Sequence, residues 1–309
     1  MLRRPLIALS HSNGARRFVT GFPIARSVAR RFVAGETQAD AIAAVRQLNR
    51  DGLLATADYL GEHVTEREAA LSNLHEYLSV LEAMADNGLQ SGVSLKLSAM
   101  GLHIDEEFCY DNVRQIVAAA GAVGRFVRID MEESALVDTT LGLYRRLRRD
   151  YDNVGTVVQA YLFRTQADVA ALIDEGIADL RLVKGAYDEP GSIAWRDRTS
   201  IQKQMVELGK MMLAPEAVAR GARMAMGSHD DIVYNPLAGW AAERGIDPQS
   251  WEIQFLYGIR RDEQKRLSEA GQRMRIYVPY GQSWYPYFMR RLAERPANLV
   301  FFLRALAGD

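Results

Sequence analysis

"GVSLKLSAMGLHIDEEFCYDNVRQIVAAAGAVGRFVRIDM", residues 92–131, holds two short β-type runs, 92–98 and 125–131, around a stretch at 106–122 with apolar residues at helical spacing. Strand, helix, strand is the unit from which parallel sheets are made, because parallel neighbours need a crossover long enough to hold a helix. Both strands also end on a costly side chain, Lys96 in one and Asp130 in the other. A buried core alone would place neither there.

The same unit recurs in both directions along the chain. Strand-like runs stand at 53–60 (LLATADYL), 156–162 (TVVQAYL), 178–185 (ADLRLVKG), 223–229 (RMAMGSH), 252–258 (EIQFLYG) and 275–281 (RIYVPYG), which with the first two make eight. Helical periodicity fills the intervals at 64–86, 134–149, 165–175, 196–211, 231–244 and 261–270, and a last helix begins near Trp284. Eight alternations fit an α/β fold of the (β/α)8 TIM-type barrel better than an open doubly wound sheet, and no G-x-G-x-x-G follows an early strand. The connection 185–196, GAYDEPGSIAWR, is long and rich in Gly and Pro, the composition of a ligand cover.

Composition narrows the class. Hydrophobic residues make up 48% and charged ones 25%, which suits a soluble globular chain with one large core. A net charge of -1 and the lack of a nucleic-acid motif exclude bulk binding to nucleic acid. The single cysteine, Cys109, cannot form an internal disulfide or a cysteine-built metal cluster, and points to a reducing compartment. No apolar run approaches the roughly 18 residues of a membrane span. Residues 1–35 carry seven arginines and no acid, a composition shared by transit peptides. With no small-residue cleavage site before the amphipathic stretch that follows, a basic helical arm over 1–50 ahead of a barrel over 51–309 is the reading preferred.

In a barrel of this kind function gathers at the carboxyl ends of the strands. Lys96, Asp130, Gln159, Arg181, Lys184, His229, Gln254 and Tyr277 fall at or near such ends. Only five lysines occur in the chain, and two of them, Lys96 and Lys184, interrupt apolar strands. On the final helix Tyr287, Arg290, Arg291 and Glu294 fall at i, i+3, i+4 and i+7 and share one face. Pro286 suits its first turn, and Pro296 closes or kinks it by denying a hydrogen bond to the carbonyl of Leu292. Lys96, Arg181, Lys184, Arg290 and Arg291 against Asp130 and Glu294 leave the inferred pocket cationic, so its ligand should carry a carboxylate or phosphates. His103, Asp130 and His229 lie on separate elements without metal-ligand spacing, and no metal site is assigned.

These residues sit in segments that, taken together, resemble the monofunctional bacterial proline dehydrogenases, flavoenzymes with a distorted (β/α)8 barrel. The matching segments are DYLGE (58–62), VSLKLSAMG (93–101), RIDMEES (128–134), VVQAYL (157–162), RLVKGAY (181–187), SHD (228–230), EIQFLYG (252–258) and YVPYGQSWYPYFMRRLAERPANL (277–299), in order along the chain. The resemblance implies oxidation of L-proline to Δ1-pyrroline-5-carboxylate, with hydride passing from ring C5 to N5 of FAD and electrons then to a membrane quinone. It implies that Arg290, Arg291 and Lys96 hold the proline carboxylate, and that Tyr187, Tyr277, Tyr287 and Leu256 wall the ring, with Glu294 on the same helix face. Arg181 is implied beside flavin N5, Gln159 at the isoalloxazine edge, Met131 against the ring, and Lys184, Gly185, Ala186, Ser228 and His229 on other parts of FAD. Asp130 matches a family active-site carboxylate, and the resemblance implies that it either orients its cationic neighbours or helps the proline nitrogen lose a proton. Glu62 matches a glutamate that in some relatives pairs with Arg290 to gate the pocket. Ser228 stands where many relatives carry threonine. The resemblance further implies a separate pyrroline-5-carboxylate dehydrogenase downstream, and a cytoplasmic protein in peripheral contact with the inner face of the membrane. Two competing readings share the fold: another flavin-barrel oxidoreductase such as methylenetetrahydrofolate reductase, and a catalytically dead barrel serving as a binding module.

Overall fold

The computed structural model describes residues 28–294, with the side chains of Ala293 and Glu294 outside the description. The basic segment 1–27, Pro296 and the placement expected of the Glu294 carboxylate therefore lie outside the described residues. Eight parallel strands close into one barrel in chain order. They are β1 (Leu54–Tyr59), β2 (Ser91–Lys96), β3 (Val127–Asp130), β4 (Val154–Gln159), β5 (Asp179–Val183), β6 (Arg223–Gly227), β7 (Glu252–Leu256) and β8 (Arg273–Tyr280). The barrel closes where β8 pairs with β1, from Leu54 opposite Arg275 to Tyr59 opposite Tyr280.

Around the strands run α1 (Gln38–Arg50), α2 (Arg67–Asp86), α3 (Glu106–Ala122), α4 (Val137–Arg148), α5 (Thr165–Asp174), α6 (Arg198–Leu213), the short α7 (Pro215–Ala219), α8 (Asp231–Ala242), α9 (Arg261–Glu269) and α10 (Trp284–Glu294). All eight expected strands form at their expected places. The expected β5 overran its end: the observed strand stops at Val183, and Lys184 is an exposed residue just past it.

The barrel is distorted at its closing seam. The flank of β8 and β1 is covered by α1, which precedes the first strand. Its buried residues Ala41, Val45 and Leu48 belong to the main core, so this part of the assigned arm shares the core of the barrel. A capping box starts the helix: Thr37 accepts from the backbone N–H of Asp40, and the Asp40 carboxylate accepts from that of Thr37. The last helix, α10, joins a second apolar cluster, packing Trp284, Tyr285, Phe288, Met289 and Leu292 against Val28, Ala29, Phe32, Val33 and Leu60. It thus sits over the β1 end of the mouth, clamped by the segment that leads into α1.

The inward positions follow from strand register, since side chains alternate faces. Lys96 lies opposite Asp130, Ser94 opposite Arg128 and Asp58, Arg181 opposite Val157 and Ala225, and Gln254 opposite Arg275 and Gly227. Barrels usually fill this interior with branched apolar side chains. Here much of it is ionic. Arg128 donates to the Asp179 carboxylate at 2.8 Å, and Arg275 grips Glu252 with two nitrogens at 2.7 Å each. These pairs satisfy one another below the mouth, which is the condition for burying charge at all.

Candidate active site

The upper interior converges on Asp130. Its Oδ1 accepts from Arg181 Nη1 and Ser94 Oγ, both at 2.8 Å. Its Oδ2 accepts from the Tyr277 hydroxyl at 2.8 Å and Lys96 Nζ at 3.3 Å. Four donors on strands β2, β5 and β8 thus meet one carboxylate, and Asp130 is held below the ordinary carboxylate range. Burial opposes this, but Lys96 and Arg181 outweigh it.

Lys96 lies among carboxylates. It reaches Asp58 at 3.3 Å, Asp130 at 3.3 Å and Glu62 at 3.6 Å, and donates to the Tyr277 hydroxyl at 3.3 Å. Burial works against its charge, yet Asp58, Tyr277, Asp130 and Glu62 raise its pKa well above the usual lysine value. Two acids from the β1 end, Asp58 and Glu62, join the cluster beside Lys96, so the positive excess expected from sequence is smaller than the strand-end residues alone give. Asp58 lies inside the strand-like run 53–60, among apolar neighbours. An acid interrupting such a run is the same signal that singled out Lys96, and it would have found Asp58 too.

Asp58 is 1% exposed, and burial pushes its carboxyl up to about 6. The sign follows directly. A carboxyl whose folded pKa is raised stabilises the fold fully below its ordinary value, near 3.8, and that contribution is lost as pH rises through about 6. Protonation below pH 6 also removes one negative charge beside Lys96. Binding of a small carboxylate with no titrating group between pH 4 and 8 is expected to tighten as pH falls through about 6. Asp58→Asn should flatten that step in a binding titration.

Arg181 is 6% exposed. Its Nε donates to Gln254 Oε1 at 2.7 Å, and Nη2 makes no hydrogen bond among the described residues. Its guanidinium lies 5.3 Å from the Tyr277 ring centroid. At the edge of the mouth Arg290 Nη2 donates to Glu62 Oε1 at 2.8 Å. Burial pushes the Arg290 pKa down, but Glu62 and then the nearby Tyr187 and Tyr287 raise it above the usual value. Arg291 stands 5.1 Å from the Tyr287 ring centroid. The helix face expected from the i, i+3, i+4 spacing is real for Tyr287, Arg290 and Arg291.

A second group of the expected residues flanks this cluster. Gln159 closes β4 and is 3% exposed; its Nε2 donates to the Glu132 carbonyl at 3.1 Å, and its buried Oε1 has no hydrogen-bond partner among the described residues. Met131 follows β3 and is buried. Leu256 ends β7 beside Tyr277, and its N–H donates to His229 Nε2 at 2.9 Å. That bond assigns Nε2 as an acceptor. Ser228 Oγ accepts from the Asp230 N–H at 3.1 Å.

Lys184, Gly185, Ala186 and Tyr187 open the long connection after β5. Gly185 has φ +108, and a Cβ there would be driven into the Tyr161 ring, so only glycine lets the chain turn here. The connection is fastened across the mouth: the Glu189 carboxylate accepts from the Ser134 N–H at 2.7 Å and the Ser134 hydroxyl at 2.6 Å. The backbone N–H of Trp195 donates to the Tyr161 carbonyl at 2.7 Å.

A family model described as proline dehydrogenase matches residues 41–304. The chain is 39% identical over 306 residues to proline dehydrogenase 1 of Bacillus subtilis subsp. natto, covering 99% of each chain. It is 36% identical over 285 residues to the proline dehydrogenase of Deinococcus radiodurans, covering 91% of this chain and 90% of that one. Among solved structures, proline utilization A from Bdellovibrio bacteriovorus, inactivated by N-propargylglycine, superposes with a TM-score of 0.80 at 23% identity. That match covers 87% of this chain and 32% of the other, so the chain spans about a third of that longer protein and the likeness speaks for the fold. With a family match over most of its length and relatives alike from end to end, this chain belongs to the proline dehydrogenase family.

Proposed function

We propose that the site oxidises L-proline to Δ1-pyrroline-5-carboxylate with FAD. One observation carries the reading: Glu62 Oε1 sits between Arg290 Nη2 at 2.8 Å and Lys96 Nζ at 3.6 Å. A carboxylate oxygen already bridges cations from α10 and β2, and a ligand carboxylate entering the mouth would take over that place. In this reading Arg290, Arg291 and Lys96 hold the proline carboxylate, with Arg291 offering a fork and Lys96 a point charge. Tyr187, Tyr277, Tyr287 and Leu256 wall the pyrrolidine ring. Glu62 releases Arg290 as substrate enters and takes it back afterwards, which makes the pair a gate.

The residues fit FAD on two counts. The buried Gln159 Oε1 is an acceptor in want of a donor, which the imide N–H of an isoalloxazine supplies. Arg181 Nη2 is likewise uncommitted beside it in the barrel. Gln159, Arg181 and Met131 would hold the ring, and Lys184, Gly185, Ala186, Ser228 and His229 the remainder. Hydride acceptance at N5, with proline C5 as donor, is the chemistry FAD supplies when bound. Arg181 keeps a positive charge where negative charge develops. Asp130 holds Arg181, Lys96 and Tyr277 in one geometry, and the carboxylates around Lys96 receive the proton that the proline nitrogen sheds.

We further read the chain as a basic arm over 1–50 followed by the catalytic barrel over 51–309, passing electrons to a membrane quinone from a cytoplasmic or peripheral position. Its product would go to a separate pyrroline-5-carboxylate dehydrogenase. Among the described residues no helix is long and apolar enough to cross a membrane.

The test is anaerobic: L-proline added to the yellow protein should bleach the flavin band, and a band that persists at high proline sinks the assignment. Reduction by NADH without reduction by proline would favour the methylenetetrahydrofolate reductase reading, and colourless protein the binding module. Arg291→Lys should weaken proline binding by about 1.5–3 kcal/mol, roughly 10- to 100-fold, through lost fork geometry. Glu62→Ala should alter both proline affinity and turnover, and if steady-state kinetics show neither changed, the gate is wrong.

A further inference from the structure

Arg181 holds its place through a chain of contacts that runs away from the mouth. Its Nε donates to Gln254 Oε1 at 2.7 Å, and Gln254 Nε2 donates to Glu252 Oε2 at 2.8 Å. Glu252 in turn accepts Arg275 Nε and Nη2, both at 2.7 Å, and Arg273 Nε at 3.0 Å. An amide can present either its oxygen or its nitrogen to a neighbour. Ionised Glu252 is acceptor only and takes the Nε2 end, while Arg181 is donor only and takes Oε1, so the amide is fixed from both sides. Although burial opposes the charge on Glu252, Arg275 and Arg273 bring its pKa to about 2, so this order holds at any ordinary pH.

The choice of residue types also matters. A carboxylate at position 254 would orient Arg181 but cancel its charge, on top of Asp130. A neutral amide orients it without adding negative charge. We propose that Gln254, set in its orientation by Glu252, is a positioning residue that fixes the Arg181 guanidinium toward the flavin and so tunes the flavin's tendency to accept hydride. The inference rests on the reading above that Arg181 faces the flavin.

Three variants of the holoenzyme test it: Gln254→Leu, Glu252→Gln and both together, with Arg181→Met as reference. Gln254→Leu removes the acceptor for Nε. In Glu252→Gln the residue at 252 can donate as well as accept, so the Gln254 amide loses the constraint on its Nε2 end and is held by Arg181 Nε alone. Each single change is expected to shift the two-electron flavin equilibrium about tenfold toward the oxidised form, a midpoint potential about 30 mV lower. Flavin stoichiometry and affinity for cyclopentanecarboxylate, a proline isostere without the amine, should stay within about twofold. Because Glu252 acts through Gln254, the double variant should match Gln254→Leu alone.

An unchanged potential in flavin-loaded Gln254→Leu, or additive shifts in the double variant, overturns the inference. Should Gln254→Leu not fold, Glu252→Gln alone decides it, since a merely structural Glu252 would lower the melting temperature and leave the potential where it was. Arg181→Met separates the two levels. If it too leaves the potential unmoved, the placement of Arg181 by the flavin has failed; if it moves the potential and the 252 and 254 variants do not, only the present inference has.

Discussion

Asp130→Asn should cost about 3–5 kcal/mol of stability and lower proline turnover by roughly 100-fold or more. The carboxylate accepts from Arg181, Ser94, Tyr277 and Lys96, two of them cations buried in the barrel. Asparagine has the same shape but one acceptor oxygen and two N–H donors. If its oxygen takes the place of Oδ1, its nitrogen is set against Lys96, donor against donor, and the Tyr277 hydroxyl loses its acceptor. If it flips, Arg181 loses its charge partner. Breaking one member of a buried ionic cluster leaves uncompensated charge, which is why an isosteric change has so large an effect. Thermal unfolding and single-turnover flavin reduction measure the two parts. Near-native stability in Asp130→Asn would mean that the four contacts are not acting as one cluster.

Gly258→Ala is the second change with a large expected effect, although no ligand-facing group is touched. Gly258 follows β7 with φ +75, and a Cβ there would be driven into the carbonyl of Arg31. The backbone strain alone is worth about 1–3 kcal/mol. The collision adds to it, because the opposing atom is main chain and cannot swing away. Relief requires the 28–34 segment to lift. That segment carries Val28, Ala29, Phe32 and Val33 into the cluster holding Trp284, Phe288 and Leu292 of α10, with Phe32 and Phe288 ring centroids 6.3 Å apart. Lifting it unseats the helix that bears Arg290 and Arg291. Gly258→Ala should therefore weaken proline binding as well as lower the melting temperature, whereas the flavin content should hold, since the expected cofactor residues lie on β4, β5 and the loops after β3, β5 and β6. Full proline affinity in the variant would show that α10 does not depend on this clamp.

Both predictions turn on features with different visibility in the primary structure. The eight strands were legible because each is a run of apolar and β-branched residues closed by turn residues, and the helices because their apolar spacing is periodic. Local chemistry suffices for both. Lys96, Asp130 and Arg181, which the structure brings into one cluster, were legible for a related reason: a charge inside an apolar strand is costly enough to stand out in one dimension. The face formed by Tyr287, Arg290 and Arg291 needed only helical geometry.

What remained hidden was pairing. The Glu62–Arg290 pair was expected only from the family resemblance, and nothing local says that Glu62 Oε1 and Asp58 will both come to rest beside Lys96. Nor does any local pattern say that α1 covers β8 while α10 moves over the mouth, because both helices present ordinary apolar faces and the choice of partner is made by fit. The size of the pocket's positive excess was misjudged for that reason. A list of side chains near strand ends can be summed, but the sum depends on which neighbours barrel closure brings within a few ångströms. By itself the sequence determined the barrel, its polar mouth and the cationic helix. Only the tertiary structure decided that Asp130 ties four donors together, that Gln254 and Glu252 stand behind Arg181, and that residues 28–34 hold α10 in place. Elements form from neighbours along the chain, whereas charge compensation and packing are settled by neighbours in space.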